Sequence, residues 1–283
     1  MQDTIIIGDS HEVLKTLPAS SVDCCITSPP YYALREYGID GQIGQEETPD
    51  GYIEQLSRVF DEVFRLLKST GTLFVNISDS YAGSGSFSCA PDEYVDYLRA
   101  HGSNNNKHIK NVRTYADETY RRKCLLGIPY RLAFSLIQRG WYLRQDLIWA
   151  KPNCQPESVK DRWVRSHEHV FFFSKESKYY FDISQIREYN AKTEQYRTQR
   201  DVIWQNVAPS PVGHIAAYPE ALIQPFVLAA CPADGLILDP FLGSGTTAVV
   251  ALKNRRHFVG VELNPEFARK AEERVKTYQT PLF

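Results

Sequence analysis

Leu236-Ile237-Leu238-Asp239-Pro240-Phe241-Leu242-Gly243-Ser244-Gly245-Thr246-Thr247 is the stretch that decides the fold of this chain. A short apolar run, fit for a buried strand, passes into a glycine turn and then into a helix over 246–253. Glycines at such a junction let the backbone approach a ligand. The new helix offers free N–H groups and the positive end of its dipole. The next strand, Phe258-Val259-Gly260-Val261, ends at Glu262, 19 residues past Gly243. An acidic residue about 20 positions beyond a glycine loop is placed to bind ribose hydroxyls. A nicotinamide-dependent oxidoreductase would use a similar unit, but its third glycine is replaced here by Ala248. The loop also lacks the Gly-Lys-Ser/Thr ending of a phosphate-binding P-loop. A nucleoside ligand without a pyrophosphate fits better.

The rest of the chain extends the same alternation. Strands are expected at Thr4–Gly8, Val22–Thr27, Thr72–Ile77, Leu143–Trp149 and His169–Phe173. Helices are expected through Val13, Leu14 and Leu17, from Gly51 to Lys68, near Pro129–Arg139 and over 219–230. The final helix has Asn264 as cap and Pro265 in its first turn. This pattern predicts an α/β fold: a doubly wound, mostly parallel sheet with helices on both faces.

The strand Val22–Thr27 runs into Ser28-Pro29-Pro30-Tyr31. Two prolines cannot continue a central strand, since each lacks the N–H a ladder needs. The chain leaves the sheet there in a stiff turn, with backbone carbonyls that no neighbouring N–H has claimed, the Ser28 hydroxyl and the Tyr31 ring. Such a corner suits a flat, amine-bearing ring, although Ser-Pro and Pro-Pro are also ordinary turn signals.

Composition places the chain among globular proteins, with 43% hydrophobic and 23% charged residues over 283 positions. No apolar stretch is long enough to span a bilayer, and the opening Met1-Gln2-Asp3 reads as no signal peptide, so no membrane partner is expected. The six cysteines show no CxxC or Cys/His ligand spacing. No metal site is expected, and a cytoplasmic setting suits them. The net charge of −2 means that any basic surface must be local.

Two polar segments interrupt the regular pattern. Residues 82–122 carry glycine- and asparagine-rich runs, then Lys107, Lys110, Arg113, Arg121 and Arg122, with Lys123 just beyond. An insertion this long reads as a flexible loop or a functional lid. Residues 151–213 hold Arg162, Trp163, Arg165, Arg187, Arg197, Arg200 and Trp204. Basic residues interleaved with aromatics fit a surface that tracks phosphates and reads bases, and equally a solvated loop face.

With these motifs in place, the chain resembles the DNA amino-methyltransferases that use S-adenosylmethionine, over nearly its whole length. That family carries an Asp/Asn/Ser-Pro-Pro-Tyr/Phe corner and a Phe-x-Gly-x-Gly loop, present here as Ser28–Tyr31 and Phe241–Gly245. The corner comes first and the loop last, which is the permuted β-group order. The resemblance implies a class I methyltransferase fold, circularly permuted, with a variable DNA-recognition insertion. Residues 1–150 and 214–283 would form the catalytic and cofactor-binding domain, 151–213 the target-recognition region, and 82–122 a DNA-contacting loop. It implies Ser28, Pro29, Pro30 and Tyr31 as catalytic. S-adenosylmethionine would be held by Asp9, Asp239, Phe241, Gly243, Ser244, Gly245, Thr246 and Glu262, with Gly8-Asp9 at the adenine and His214–Leu222 at the methionine end. Lys107, Arg113, Arg121, Arg122, Lys123 and Arg162 are the candidates for contact with double-stranded DNA. A restriction–modification or phage/host protection setting follows, with a cognate restriction endonuclease as candidate partner.

The corner suggests its own chemistry. An exocyclic amine is a poor nucleophile because its lone pair is delocalised into the ring. Accepting its two N–H bonds at Ser28 and a proline-turn carbonyl localises that lone pair by positioning and preorganisation. Tyr31 would stack on the base once it has left the duplex. A C5-cytosine mechanism needs a Pro-Cys pair, which neither Cys154-Gln155-Pro156 nor Cys231-Pro232 supplies. By resemblance, serine at the first corner position goes with cytosine N4 and aspartate with adenine N6, so cytosine N4 methylation is expected. Adenine N6 methylation, a non-catalytic DNA-binding protein on the same fold and RNA methylation are the alternatives.

Overall fold

The computed structural model describes residues 2–33, 39, 41–83, 116–207 and 218–279. Its centre is an eight-stranded sheet in the order β1-β10-β9-β2-β3-β5-β4-β8. These strands are β1 (Thr4–Ile7), β2 (Val22–Thr27), β3 (Leu67–Ile77), β4 (Tyr142–Ala150), β5 (His167–Ser174), β8 (Val202–Trp204), β9 (Leu236–Asp239) and β10 (His257–Glu262). Strands β1, β10, β9, β2 and β3 are mutually parallel, and β5 runs antiparallel to both β3 and β4. The sheet is therefore mostly parallel, as the alternation predicted.

Side-chain alternation along the strands splits the interior into two cores. On β2, Cys25 faces one side and Cys24 and Ile26 the other; on β3, Leu73, Val75 and Ile77 oppose Phe74. The first core is covered by α1 (Ser10–Lys15), α2 (Pro49–Leu66) and α3 (Ile128–Gln138). The second lies under α4 (Glu220–Ala230), α5 (Thr246–Lys253) and α6 (Pro265–Gln279). Phe74 sits at the centre of the second core, stacked on Phe172 at 4.6 Å and on Phe226 at 4.7 Å. Offset aromatic pairs contribute about 0.5–1.5 kcal/mol beyond their buried area. Every residue of β2 is buried, which explains its largely apolar run. Asp23, the exception in sequence, pairs with Lys68 at 2.8 Å and accepts the Leu236 N–H at 2.9 Å.

Several expected boundaries move for local reasons. Helix α2 begins at Pro49, two residues before the expected start, because Thr48 caps it by accepting the Gly51 N–H at 3.1 Å. Strand β3 begins at Leu67 and runs through Gly71. Its register against β2 slips from Val22↔Leu67 to Cys24↔Thr72, an irregularity at whose end Gly71 sits. A Cβ on Gly71 would fall 2.9 Å from the Leu67 Cβ.

The span 151–213 is not a unit apart from the sheet: β5 lies between β3 and β4, and β8 pairs with β4. Its own addition is the two-stranded hairpin β6 (Arg187–Asn190) and β7 (Gln195–Thr198). No helix among the described residues is long and apolar enough to cross a membrane.

The winding direction changes between β9 and β2, which pair in parallel at Cys24↔Ile237 and Cys25↔Leu238. The carboxyl ends of these two strands open on one edge of the sheet, where ligands sit in doubly wound folds. The Thr27 hydroxyl ties the two exits together by donating to Asp239 Oδ1 at 2.7 Å.

Candidate active site

A cleft enclosing about 930 Å³, its open mouth included, lies at this switch point. Ser28, Pro29, Pro30 and Tyr31 form one wall; Asp9, Phe241, Gly243, Glu262 and Asn264 are on the other. Both sequence motifs therefore meet in one crevice, although more than 200 residues separate them in the chain.

The glycine-loop wall is built from backbone. Glu262, at the end of β10, accepts the Gly243 N–H at 2.8 Å with one carboxylate oxygen and the Asn264 N–H at 2.8 Å with the other. Burial pushes its carboxyl above the ordinary glutamate range, and these two N–H groups pull it part of the way back. Each oxygen keeps a lone pair, so the group can accept hydroxyls from the cleft. Asp9 caps α1, accepting the Glu12 N–H at 3.0 Å, and also lines the cleft. Phe241, Leu263, Phe267, Ile39 and Ile43 give this end an apolar lining suited to a purine ring.

Half of the expected cofactor residues stand behind the wall instead. Asp239 is buried and accepts from Thr27, Tyr218, Thr247 and the Phe241 N–H, so it organises the loop and does not face the cleft. Burial drives its carboxyl up, against the pull of those four donors. The Ser244 and Thr246 side chains are buried, and Thr246 accepts from Arg274 at 3.1 Å. Gly245 takes a left-handed φ of 80° as the cap of α5, where a Cβ would crowd Ala271 at 3.0 Å. Gly8 also stands outside the lining. Within the expected methionine-end stretch, residues 214–217 lie outside the described residues; Tyr218 and Leu222 are core residues. Ser10, Pro240, Leu263, Asn264 and Phe267 line the cleft without having been singled out as ligand contacts. For Asn264 the helix-cap signal masked that second position.

The corner wall is built from side chains. Register places Ser28 beside Asn76, since Thr27 pairs with Val75. Asn76 Nδ2 donates to Tyr31 Oη at 2.7 Å and to Glu168 Oε2 at 2.7 Å, with Ser28 Oγ at 3.5 Å. The Tyr31 hydroxyl donates to Glu168 Oε2 at 2.6 Å, and Lys151 pairs with the other oxygen of Glu168. Burial and the Glu168 carboxylate push the Tyr31 phenol well above its usual range, so it stays protonated. Asn76 Oδ1 is buried and has no partner among the described residues, a state that costs about 1–3 kcal/mol. Asn76, Lys151 and Glu168 were not read as site residues, because only the sheet register brings them to Ser28.

One expected acceptor of the corner is occupied. The Pro30 carbonyl accepts the Tyr52 hydroxyl at 2.7 Å. Among the described residues nothing donates to the Pro29 carbonyl, so Ser28 Oγ and the Pro29 carbonyl are the pair left for an amine. Gly44 packs against this turn so tightly that a Cβ there would lie 2.9 Å from the Tyr31 carbonyl oxygen. Among the described residues no cysteine lines the cleft. Cys24 and Cys25 are buried, and burial pushes the Cys231 thiol up to about 12, which removes a thiolate nucleophile from consideration.

The same sheet edge carries the basic residues. Arg121, Arg122 and Lys123 are exposed, with Lys123 paired to Asp161 at 2.7 Å. Arg162 is half-buried, held by Glu157 at 2.6 Å and stacked 4.3 Å over the Tyr81 ring. It braces its loop through Nη1, which also bonds the Trp163 carbonyl at 3.0 Å. Arg165 bonds the Asp79 carbonyl at 2.6 Å. Between these two arginines Trp163 is 93% exposed. Lys107 and Arg113 lie outside the described residues.

Known proteins share this fold and much of this sequence. The DNA methylase family profile matches residues 22–273. The Type II methyltransferase M.SmaI of Serratia marcescens is 44% identical over 272 residues, covering 96% of this chain and 90% of that protein. M.Cfr9I of Citrobacter freundii, also a Type II methyltransferase, is 43% identical, covering 98% and 89%. Among solved structures, the PvuII DNA methyltransferase described as cytosine-N4-specific superposes with a TM-score of 0.68 at 20% identity, over 97% of this chain and 90% of that one. A putative DNA modification methylase from Thermus thermophilus, in complex with S-adenosylmethionine, gives 0.65 at 23% identity, over 99% and 96%.

Proposed function

This chain belongs to the DNA methylase family, and from that premise we propose that it methylates the exocyclic N4 of cytosine in double-stranded DNA, with S-adenosylmethionine as donor. The observation that carries the base assignment is a neutral hydroxyl, Ser28, beside the Pro29 carbonyl, to which nothing donates among the described residues, on the wall that faces Glu262. A neutral acceptor takes the amine proton without setting a full negative charge near the O2 and N3 acceptors of cytosine. The description of the PvuII structure as cytosine-N4-specific and the Type II methyltransferases at 43–44% identity support the same reading.

The residues present fit the donor. Glu262 offers two oxygens for ribose hydroxyls, Asp9 a further carboxylate, and Phe241, Leu263 and Phe267 an apolar bed for adenine. When bound, S-adenosylmethionine supplies an electrophilic methyl group on its sulfonium. The protein does the rest by orientation. Ser28 Oγ and the Pro29 carbonyl accept the two amine N–H bonds, which localises the nitrogen lone pair and aims it across the cleft. Tyr31, its ring plane fixed by the bond from its hydroxyl to Glu168, receives the flipped base by stacking. Arg121, Arg122 and Trp163 lie on the open edge, where they meet the phosphates and base stack of the duplex.

This role sets the protein in a restriction–modification system, with a cognate endonuclease as partner, and in the cytoplasm, where buried free thiols such as Cys24 and Cys25 stay reduced. Digestion of DNA methylated by the protein to nucleosides tests the reading. N4-methylcytosine is the expected product; N6-methyladenine alone would overturn the base assignment.

A further inference from the structure

We propose that Glu168 is a positioning residue that fixes the direction of the Ser28 hydroxyl, and so makes Ser28 an acceptor for the target amine; this rests on the role just given to Ser28. A serine hydroxyl is donor and acceptor at once, and an amine clamp needs its acceptor face. The destination of the Ser28 proton is settled further along the network. The Tyr31 hydroxyl has one proton, and it donates that proton to Glu168 Oε2 in a hydrogen bond of 2.6 Å. Asn76 Nδ2 has two, and its 2.7 Å contacts with Tyr31 Oη and Glu168 Oε2 use both. Tyr31 Oη is left with a single lone pair, 3.4 Å from Ser28 Oγ. Ser28 sends its proton there; the long 3.5 Å contact from Asn76 Nδ2 takes at most one of its lone pairs, and the other stays open to the cleft it lines.

The opposite polarity is blocked. Turning the Asn76 amide over would set Oδ1 against a carboxylate oxygen at 2.7 Å, which repels it. Lys151 on the far oxygen of Glu168 holds the carboxylate charge in place. Every proton in the line from Ser28 through Tyr31 thus points toward Glu168. The unpartnered Asn76 Oδ1 is the stability given up to keep that direction.

The test is a double-mutant cycle on methyl transfer by the full chain, with Glu168→Gln, Tyr31→Phe and the double variant. Tyr31→Phe keeps the stacking ring and removes only the hydroxyl. Glu168→Gln is expected to lower kcat about 10–100-fold while KM for DNA and for S-adenosylmethionine stays within about threefold. In the Tyr31→Phe background the same change should cost less than about twofold, because its route to Ser28 is already cut. A merely structural Glu168 would instead give losses that multiply and a shared rise in both KM values. That outcome, or an unchanged kcat in Glu168→Gln, overturns the proposal. Should Glu168→Gln fail to fold, Tyr31→Phe decides alone, and full kcat in that variant overturns it. Nucleoside analysis of the wild-type product, run alongside, reports on the base assignment separately from the cycle.

Discussion

The two walls of the cleft are made by opposite means. The Glu262 wall comes mainly from the continuous stretch between Pro240 and Phe267, and its decisive bonds are backbone N–H groups of Gly243 and Asn264. The Ser28 wall gathers side chains from β3, β5, the β2 exit and the residue just past β4, with Tyr31 and Glu168 separated by 137 positions. A site for a nucleoside cofactor can be written as a short local motif, since glycines and a strand-end carboxylate suffice. A site that must orient one amine needs directed protons, and those require side chains that only the folded sheet brings together.

Substitutions separate the walls. Ser28→Ala should reduce kcat about 10²–10³-fold, the loss seen when one preorganised hydrogen-bonding group is removed. Cofactor affinity, measured by calorimetry, should stay within about twofold; a parallel loss of affinity would break the division between the walls. Glu262→Ala should do the reverse, weakening the cofactor Kd about 10–100-fold, as for lost bonds to a charged acceptor. Burial holds the Glu262 carboxyl above its ordinary value, so acidification protonates it earlier than a surface glutamate. Cofactor affinity should therefore fall as pH drops through that raised range, and the Glu262→Ala variant should lack this fall. The smallest effect concerns the open edge. Arg121→Ala with Arg122→Ala should flatten the salt slope of DNA binding by up to about 2, near 0.9 per phosphate contact. Lys123, already paired with Asp161, should add less. Equal slopes for variant and parent would remove these arginines from the phosphate interface.

The same contrast governs what could be read beforehand. Gly243 and Glu262 were legible because a strand, a glycine turn and the next strand follow one another in sequence. Asp239 carries a meaning that sequence alone does not give: a carboxylate entering a glycine loop looks like a ligand group, and the fold sets four donors around it, which make it the hub of the loop. Glu168 stands just before the apolar run His169–Phe173, and its meaning depends on β5 running antiparallel beside β3. The β6–β7 hairpin left little pattern because both of its faces meet solvent. The alternation of Leu73, Phe74 and Val75 gave the strand, but not which helix layer each residue would meet.

Strand β1 pairs with β10, through Thr4↔Val259 and its neighbours, and Asp3 bonds the Phe258 carbonyl at 2.7 Å and His257 at 2.9 Å. The ribosome therefore makes β10 about 250 residues after β1, roughly ten to fifty seconds at ordinary elongation rates. Strands β2 to β5 can pair while β1 and the β9 side of β2 wait as open edges, the state in which sheets are most prone to mispair. The permuted order thus makes the donor wall wait for β9 and β10, and leaves β1 without its partner while the strands in between are made.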